Sequence, residues 1–239
     1  MQTINLDKLD LQDHQLAIDL GCGLGRHMHA MYFHRRCIAV GIDLGLEDIK
    51  ATREGFKNAP DLEPQIGAPR HYVLSAGDAT QLPFADGKFD RLICSEVLEH
   101  IPDVERAIDE IWRIMKPDSR IGISVPRAWP EKICWLLSDD YHNEPGGHVR
   151  IFNARALRHS FEQRGFVFSG KHHAHGLHSP YWWLKCLVGV KNDRNLFVRL
   201  YHKILVVEIL QNPWYLKLIS KITDPLMGKS VVLYFNKPK

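Results

Sequence analysis

Cysteine is scarce and scattered: Cys22, Cys37, Cys94, Cys134 and Cys186, with no C-x-x-C pair. That spacing excludes a zinc ribbon and a disulfide framework and suits a reducing compartment such as the cytoplasm. No run of about 18 apolar residues is free of charges, so no spanning helix is expected. The opening MQTINLDKLD lacks the basic and apolar regions of a secretory leader. Repeats and low-complexity tracts are missing as well. Acids are rare toward the C-terminus. Residues 151–239 carry 14 Lys/Arg against 4 Asp/Glu, whereas residues 1–150 carry 17 against 24. The net charge of +3 therefore conceals a basic, Trp-, Tyr- and Leu-rich part. Such a part could meet anionic lipid or nucleic acid, or form an evenly solvated surface.

What is present is alternation. Strand-like runs at 15–20, 37–44, 71–79, 90–96 and 120–126 are separated by helix-like runs at 25–36, 46–56 and 104–115. Lys116-Pro117 closes the last of these, because proline cannot continue a helix. Pro60 and Pro64 punctuate a loop. A helix over 153–165, capped by Asn153, leads to strands at 166–175 and 230–237. The order predicts an α/β fold with a doubly wound, seven-stranded, mostly parallel sheet in one domain over 1–239. Two segments exceed what that sheet needs. Residues 129–150 suit a substrate lid, and 176–228 a helical insertion between strands six and seven.

Residues 17–25 read AIDLGCGLG, three glycines at every second position after a buried acid. In an open α/β sheet the loop after strand one lies at the ligand crevice. A dinucleotide site needs G-x-G-x-x-G, but the third position here is Arg26 and the actual glycine is Gly25. A nicotinamide oxidoreductase is excluded on that ground. Asp19 is unfavourable beside a pyrophosphate and suits an ammonium or sulfonium ligand.

Asp19-Leu20-Gly21-Cys22-Gly23-Leu24-Gly25 resembles motif I of class I S-adenosylmethionine (SAM) methyltransferases. Three further blocks match in order. VGIDL resembles the end of strand two, which implies that Asp43, followed by Leu44, holds the ribose hydroxyls. GDATQLPFADGKFD resembles the next block, implying Asp78 as acceptor for the adenine amino group and Ala79 as backbone contact. SEVLEHIPD resembles the block after strand four in the type 11 subgroup, with Ser95 and Glu96 near the methionine end. The likeness covers about 15–127, and more loosely 148–166. It implies a Rossmann-like methyltransferase acting on a small molecule, with SAM as methyl donor and S-adenosylhomocysteine (SAH) as product. Each residue also has a plainer reading: tight-turn glycines, turn acids, and Cys22 as a small buried filler. Arg26 could reach the SAM carboxylate or merely open a helix.

SAM carries its own driving force, so the protein chiefly orients nucleophile and methyl. A hydroxyl, phenol or acidic-carbon nucleophile needs a base. His100 titrates near neutrality and follows strand four, next to the expected methyl. Tyr141, His142 and His148 fall in the 129–150 segment and are the other catalytic candidates, with Gly146-Gly147 as a hinge. The tract His172-His173-x-His175-x-x-His178 lacks Cys, Asp or Glu, so no metal is expected there.

Residues 196–210 are apolar most of the way round a helix, with Arg199 and Lys203 in a narrow basic stripe. Residues 181–225 suit a lid, a homodimer interface, or peripheral membrane contact. Lid and membrane contact both point to a lipophilic acceptor. No N/D-P-P-Y/F block follows strand four, which argues against a nucleic-acid substrate. A protein methyltransferase and a non-catalytic SAM-binding protein are the remaining alternatives.

Overall fold

The computed structural model describes residues 2–58, 71–143, 147–211 and 213–239, except for the side chain of His142. The expected loop prolines Pro60 and Pro64, and Gly146 of the expected hinge, lie outside the described residues. Among the described residues seven strands form one sheet: β1 Leu16–Leu20, β2 Ile38–Asp43, β3 His71–Ala76, β4 Phe89–Ser95, β5 Met115–Pro126, β6 Val167–Ala174 and β7 Ser230–Asn236. Their order is β3-β2-β1-β4-β5-β7-β6. The pairs among β1 to β5 are parallel, and β7 runs antiparallel to both β5 and β6. The expected doubly wound sheet is therefore present.

The helices are α1 Leu6–Leu9, α2 Arg26–His34, α3 Leu46–Lys57, α4 Val104–Ile114, α5 Ala128–Leu137, α6 Asp139–His142, α7 Ala154–Gln163, α8 His178–Val188, α9 Leu196–Leu210 and α10 Trp214–Met227. Helix α4 illustrates how sequence sets packing. Asp103 caps it by accepting from the Arg106 amide. Val104, Ala107, Ile108, Ile111 and Ile114 recur at helical spacing and are all buried. Asn153 caps α7 in the same way, as expected. The inner strands are apolar almost throughout because both sheet faces are covered. Successive residues of β1 face opposite sides, so Ile18 joins the cluster holding α4 and α7, and Ala17 the cluster holding α1, α2 and α3.

One boundary differs from expectation. Helix α4 does stop before Lys116-Pro117, but β5 begins at Met115 and not at residue 120. Pro117 is accommodated because the pairing with β4 slips between Phe89 and Arg91, and Asp118 adopts φ 62°. A proline costs little in an irregular stretch of strand.

The N-terminal segment is fastened by buried histidines. The backbone N–H groups of Thr3 and Ile4 both donate to His27 Nε2 at 3.3 Å. The Thr3 hydroxyl lies 2.9 Å from His175 Nε2. An imidazole nitrogen that accepts must be unprotonated, and burial together with the Arg26 charge lowers the His27 pKa to about 3. The folded pKa lies below the unfolded one, near 6.5. This contribution to stability is complete above pH 6.5 and is lost as pH falls toward 3. We expect His27→Gln, which keeps an acceptor, to gain about 2 kcal/mol relative to wild type between pH 7 and pH 5. Denaturant titrations of both proteins at the two pH values measure this. A constant difference would show that His27 titrates normally.

Candidate functional site

The loops after β1, β2, β3 and β4 enclose a cavity of about 550 Å³ at the carboxyl ends of the strands. This is the switch point of the sheet, where strand order reverses from β1 to β4. The glycine loop is tied to β2. The Gly21 and Cys22 amides donate to the Ile42 carbonyl at 2.8 and 3.0 Å. The Gly23 amide donates to Asp43 Oδ2 at 2.7 Å, and the Gly45 amide to Asp43 Oδ1 at 2.9 Å. Gly21, at φ +72°, leaves no room for a Cβ against the Val97 side chain, whereas Gly23, at φ +50°, borders open space. Both conformations favour glycine. One glycine admits the neighbouring loop and the other exposes backbone to a ligand.

The walls combine apolar side chains with acceptors. Leu20, Ile42, Leu44, Val97 and Ile101 supply the former, and Asp43 and Asp78 the latter. Leu44 is 78% exposed although it borders the cavity. Asp78 Oδ1 accepts from both the Thr80 amide and hydroxyl at 2.8 Å. These bonds hold its carboxyl below the usual range, so it remains ionised at neutral pH.

Glu96 joins this cavity to a second one. It lines both, and its φ of 58° is a left-handed conformation unusual for a side-chain-bearing residue. Its carboxylate accepts from the Ser124 hydroxyl at 2.8 Å, and burial raises its pKa. The second cavity, about 270 Å³, is bordered by Arg26, His175, His178, Trp182, Ile209 and Lys229, with Thr3 and Ser230.

Beyond Glu96 lies a charged network centred on Glu131. This buried carboxylate accepts from Lys229 Nζ at 3.1 Å and from the Tyr141 hydroxyl at 3.3 Å. His148 Nδ1 lies 2.7 Å from its other oxygen, which makes that nitrogen the donor. Burial acts to raise the Glu131 pKa, but the His148 hydrogen bond and the Lys229 charge hold it at about 2. Burial alone would lower the Lys229 pKa, yet Tyr141 and Glu131 raise it above its ordinary value.

His148 also faces His100, with ring centroids 5.1 Å apart. Glu99 sits between them: its Oε1 lies 3.9 Å from His148 Nε2 and 4.0 Å from His100 Nε2. His100 Nδ1 is 3.1 Å from the Gly147 carbonyl, so its Nδ1 carries the proton. The Glu99 carboxyl is 0% exposed, and neither oxygen has a hydrogen-bond partner among the described residues. Burial, with Glu96 nearby, raises its pKa well above the ordinary value. The trio has the ligand types and spacing of a divalent-cation site. Each histidine is oriented through Nδ1 by an acceptor behind it, as metal-ligating imidazoles are.

Gly21, Gly23, Asp43, Leu44, Asp78, Ala79, Glu96 and His100 all border the first cavity. Asp19, Cys22, Gly25 and Ser95 do not. Asp19 is buried beneath the loop, where desolvation raises its pKa to about 8 and Oδ2 has no partner. Cys22 is core, Gly25 packs against Thr52 and His29, and Ser95 bonds Ser124. Asp19 and Ser95 support the site from behind, because β1 and β4 turn these side chains away from it, whereas Cys22 and Gly25 belong to the loop itself. Tyr141 and His148 border neither cavity and meet at Glu131 instead. The side chain of His142 is outside the described residues. The histidine tract forms no ligand cluster among the described residues. His175, at φ 66°, lies beyond the end of β6, so strand alternation does not extend to it. Glu99, His100 and His148 come together at a place to which sequence spacing gave no clue. Glu131, Lys229 and Glu99 were also missed. Their only sequence signal is a charge within an apolar or Gly-rich segment.

A family described as "Methyltransferase domain" matches residues 18–123. Among curated proteins, 24-methylenesterol C-methyltransferase 2 of Arabidopsis thaliana is 30% identical over 139 residues, 58% of this chain and 36% of that one. Demethylmenaquinone methyltransferase of Lactobacillus johnsonii is 27% identical over 179 residues, 66% of this chain and 70% of that one. This chain spans about a third of the sterol enzyme's length. The solved YcgJ protein of Bacillus subtilis superposes with TM-score 0.65 at 18% identity, covering 98% of this chain and 96% of that one, a likeness of fold.

Proposed function

We propose, from the premise that this chain belongs to the class I SAM-dependent methyltransferases of type 11, that it methylates a small hydrophobic acceptor. The observation that carries this reading is the meeting of two cavities at Glu96. The larger has the form a SAM nucleoside needs. Asp43 accepts from the ribose diol and Asp78 from the adenine amino group. Leu44, Ile42 and Ile101 would provide apolar contacts for the base, and the Gly23 backbone would be open to the ribose. The cofactor supplies an electrophilic sulfonium methyl.

The second cavity is the acceptor pocket in this reading. Trp182 and Ile209 give it apolar walls, which fits the sterol, quinone and alkaloid methyltransferases among the relatives. His100, at the edge of the cofactor cavity, is the candidate base for an acidic acceptor proton. His148 and Tyr141 are positioning residues: His148, held by Glu131, packs against the His100 ring, and Tyr141 with Glu131 holds Lys229 in the acceptor wall. The 129–150 segment, carrying α5 and α6, covers this side.

The buried Glu99 favours a second reading, a divalent cation held by Glu99, His100 and His148, which excludes His100 as the base because the ion would occupy its Nε2. Such an ion would neutralise Glu99 and fix the two rings. The test is transfer of labelled methyl from SAM to lipophilic phenols, quinols and sterols, before and after chelation. Label in an extracted acceptor with stoichiometric SAH supports the reading. Tight SAH binding without turnover on any acceptor would favour a non-catalytic SAM-binding protein. Turnover unaffected by chelation would remove the cation.

A further inference from the structure

The outer sides of α9 and α10 expose large apolar side chains on neighbouring helices. On α9, Phe197, Leu200 and Ile204 recur at three- and four-residue spacing and are 67%, 60% and 42% exposed. On α10, Trp214, Leu218 and Ile222 are 77%, 54% and 59% exposed. Val198, Leu205 and Glu208 of α9 are buried. Ser220 donates to Glu208 at 2.8 Å and fastens the helices together. An apolar surface of this extent marks a contact with something.

Charge identifies the partner. Arg194, Arg199, Lys203, Lys217 and Lys221 are all exposed. Glu208 is the one acid between Arg194 and Thr223, and it is buried. None of the five cations pairs with an acid among the described residues. A two-fold dimer would set this patch against itself and bring ten cations together without compensation. A mixed apolar and basic surface, with Trp214 and Tyr215 adjacent, matches the headgroup boundary of an anionic bilayer. No described helix is long and apolar enough to cross a membrane, so the contact would lie in the surface plane.

We propose that α9 and α10 dock on the surface of an anionic lipid bilayer, and that the acceptor passes from the bilayer beneath α9 into the second cavity. Ile209 connects the two, since it borders that cavity and is 41% exposed on α9. The passage of acceptor rests on the methyltransferase reading, whereas the docking does not.

The experiment is co-sedimentation of the full chain with vesicles of phosphatidylcholine alone, or of phosphatidylcholine and phosphatidylglycerol in equal parts. Wild type is expected to partition onto the anionic vesicles and to be released by high salt. Arg199→Gln/Lys203→Gln/Lys217→Gln should weaken partitioning about a hundredfold, and Phe197→Ser/Leu200→Ser/Trp214→Ser at least about tenfold. SAH calorimetry on each variant shows that the fold and cofactor site persist. Equal partitioning of wild type and both variants, or none by wild type, overturns the docking. So does a dimer that the apolar variant converts to monomer without any vesicle binding by wild type. SAH binding without vesicle binding sinks only the docking, and vesicle binding without SAH binding sinks only the methyltransferase reading.

Discussion

Asp43→Ala is expected to weaken SAH binding at least about a hundredfold, with the fold retained. Two effects combine. In the proposed site the carboxylate accepts from a ribose diol, and charge-assisted hydrogen bonds contribute about 1.5–3 kcal/mol each. The same carboxylate fixes the glycine loop through the Gly23 amide and the start of α3 through the Gly45 amide. Its loss leaves the Gly23 amide without its acceptor, while the bonds of Gly21 and Cys22 to the Ile42 carbonyl remain. Calorimetry with SAH on wild type, Asp43→Ala and Asp43→Asn measures the effect, and NAD serves as control ligand. Asp43→Asn keeps one acceptor oxygen and should fall between the two. An unchanged SAH affinity in Asp43→Ala would remove the assignment of this cavity to the cofactor.

The second large effect is expected at Glu131. Glu131→Ala strands the buried Lys229 ammonium beside Tyr141 and leaves His148 Nδ1 without its acceptor. Breaking one side of a buried ion pair costs about 3–5 kcal/mol, because the remaining charge stays desolvated. For a chain of this size that lowers Tm by roughly 6–20 °C. Glu131→Gln keeps the acceptor and should cost less. The pH dependence has a definite sign. The folded pKa of about 2 lies below the ordinary 4.5, so this contribution is present above pH 4.5 and is lost as pH falls toward 2. Methyl transfer should fall in both variants while SAH affinity stays near wild type, because Glu131 borders neither cavity. A Glu131→Ala protein with unaltered Tm would mean that Lys229 can reach water, and that the network does not hold the acceptor wall.

These residues also show what each level of description can carry. The sheet was legible because its signals are local. Buried parallel strands read as apolar runs, Asp103 and Asn153 mark helix starts, and the glycine loop has one place in an open sheet. Asp43, Asp78 and Glu96, which border the first cavity, were legible because each lies at or within two residues of the end of a strand. The second site was not. Glu131, His148, Lys229 and Tyr141 come from four separate segments up to 98 residues apart and meet only when β7 inserts between β5 and β6. Glu99 lies beside His100 in the chain, but the burial that raises its pKa comes from its surroundings.

The outer helices follow the same division. The sequence alone determined that 196–210 is apolar nearly all round and that acids are almost absent from 194–223, since both are matters of composition and spacing. The tertiary structure alone decided which apolar side chains are covered. Val198, Leu205 and Leu216 turn inward, whereas Phe197, Leu200 and Trp214 are left in solvent. Periodicity says that a helix has a greasy side, but only the packing of α8 on α5 and α9, and of α10 on β6, says which side remains open, because burial depends on neighbours distant in the chain.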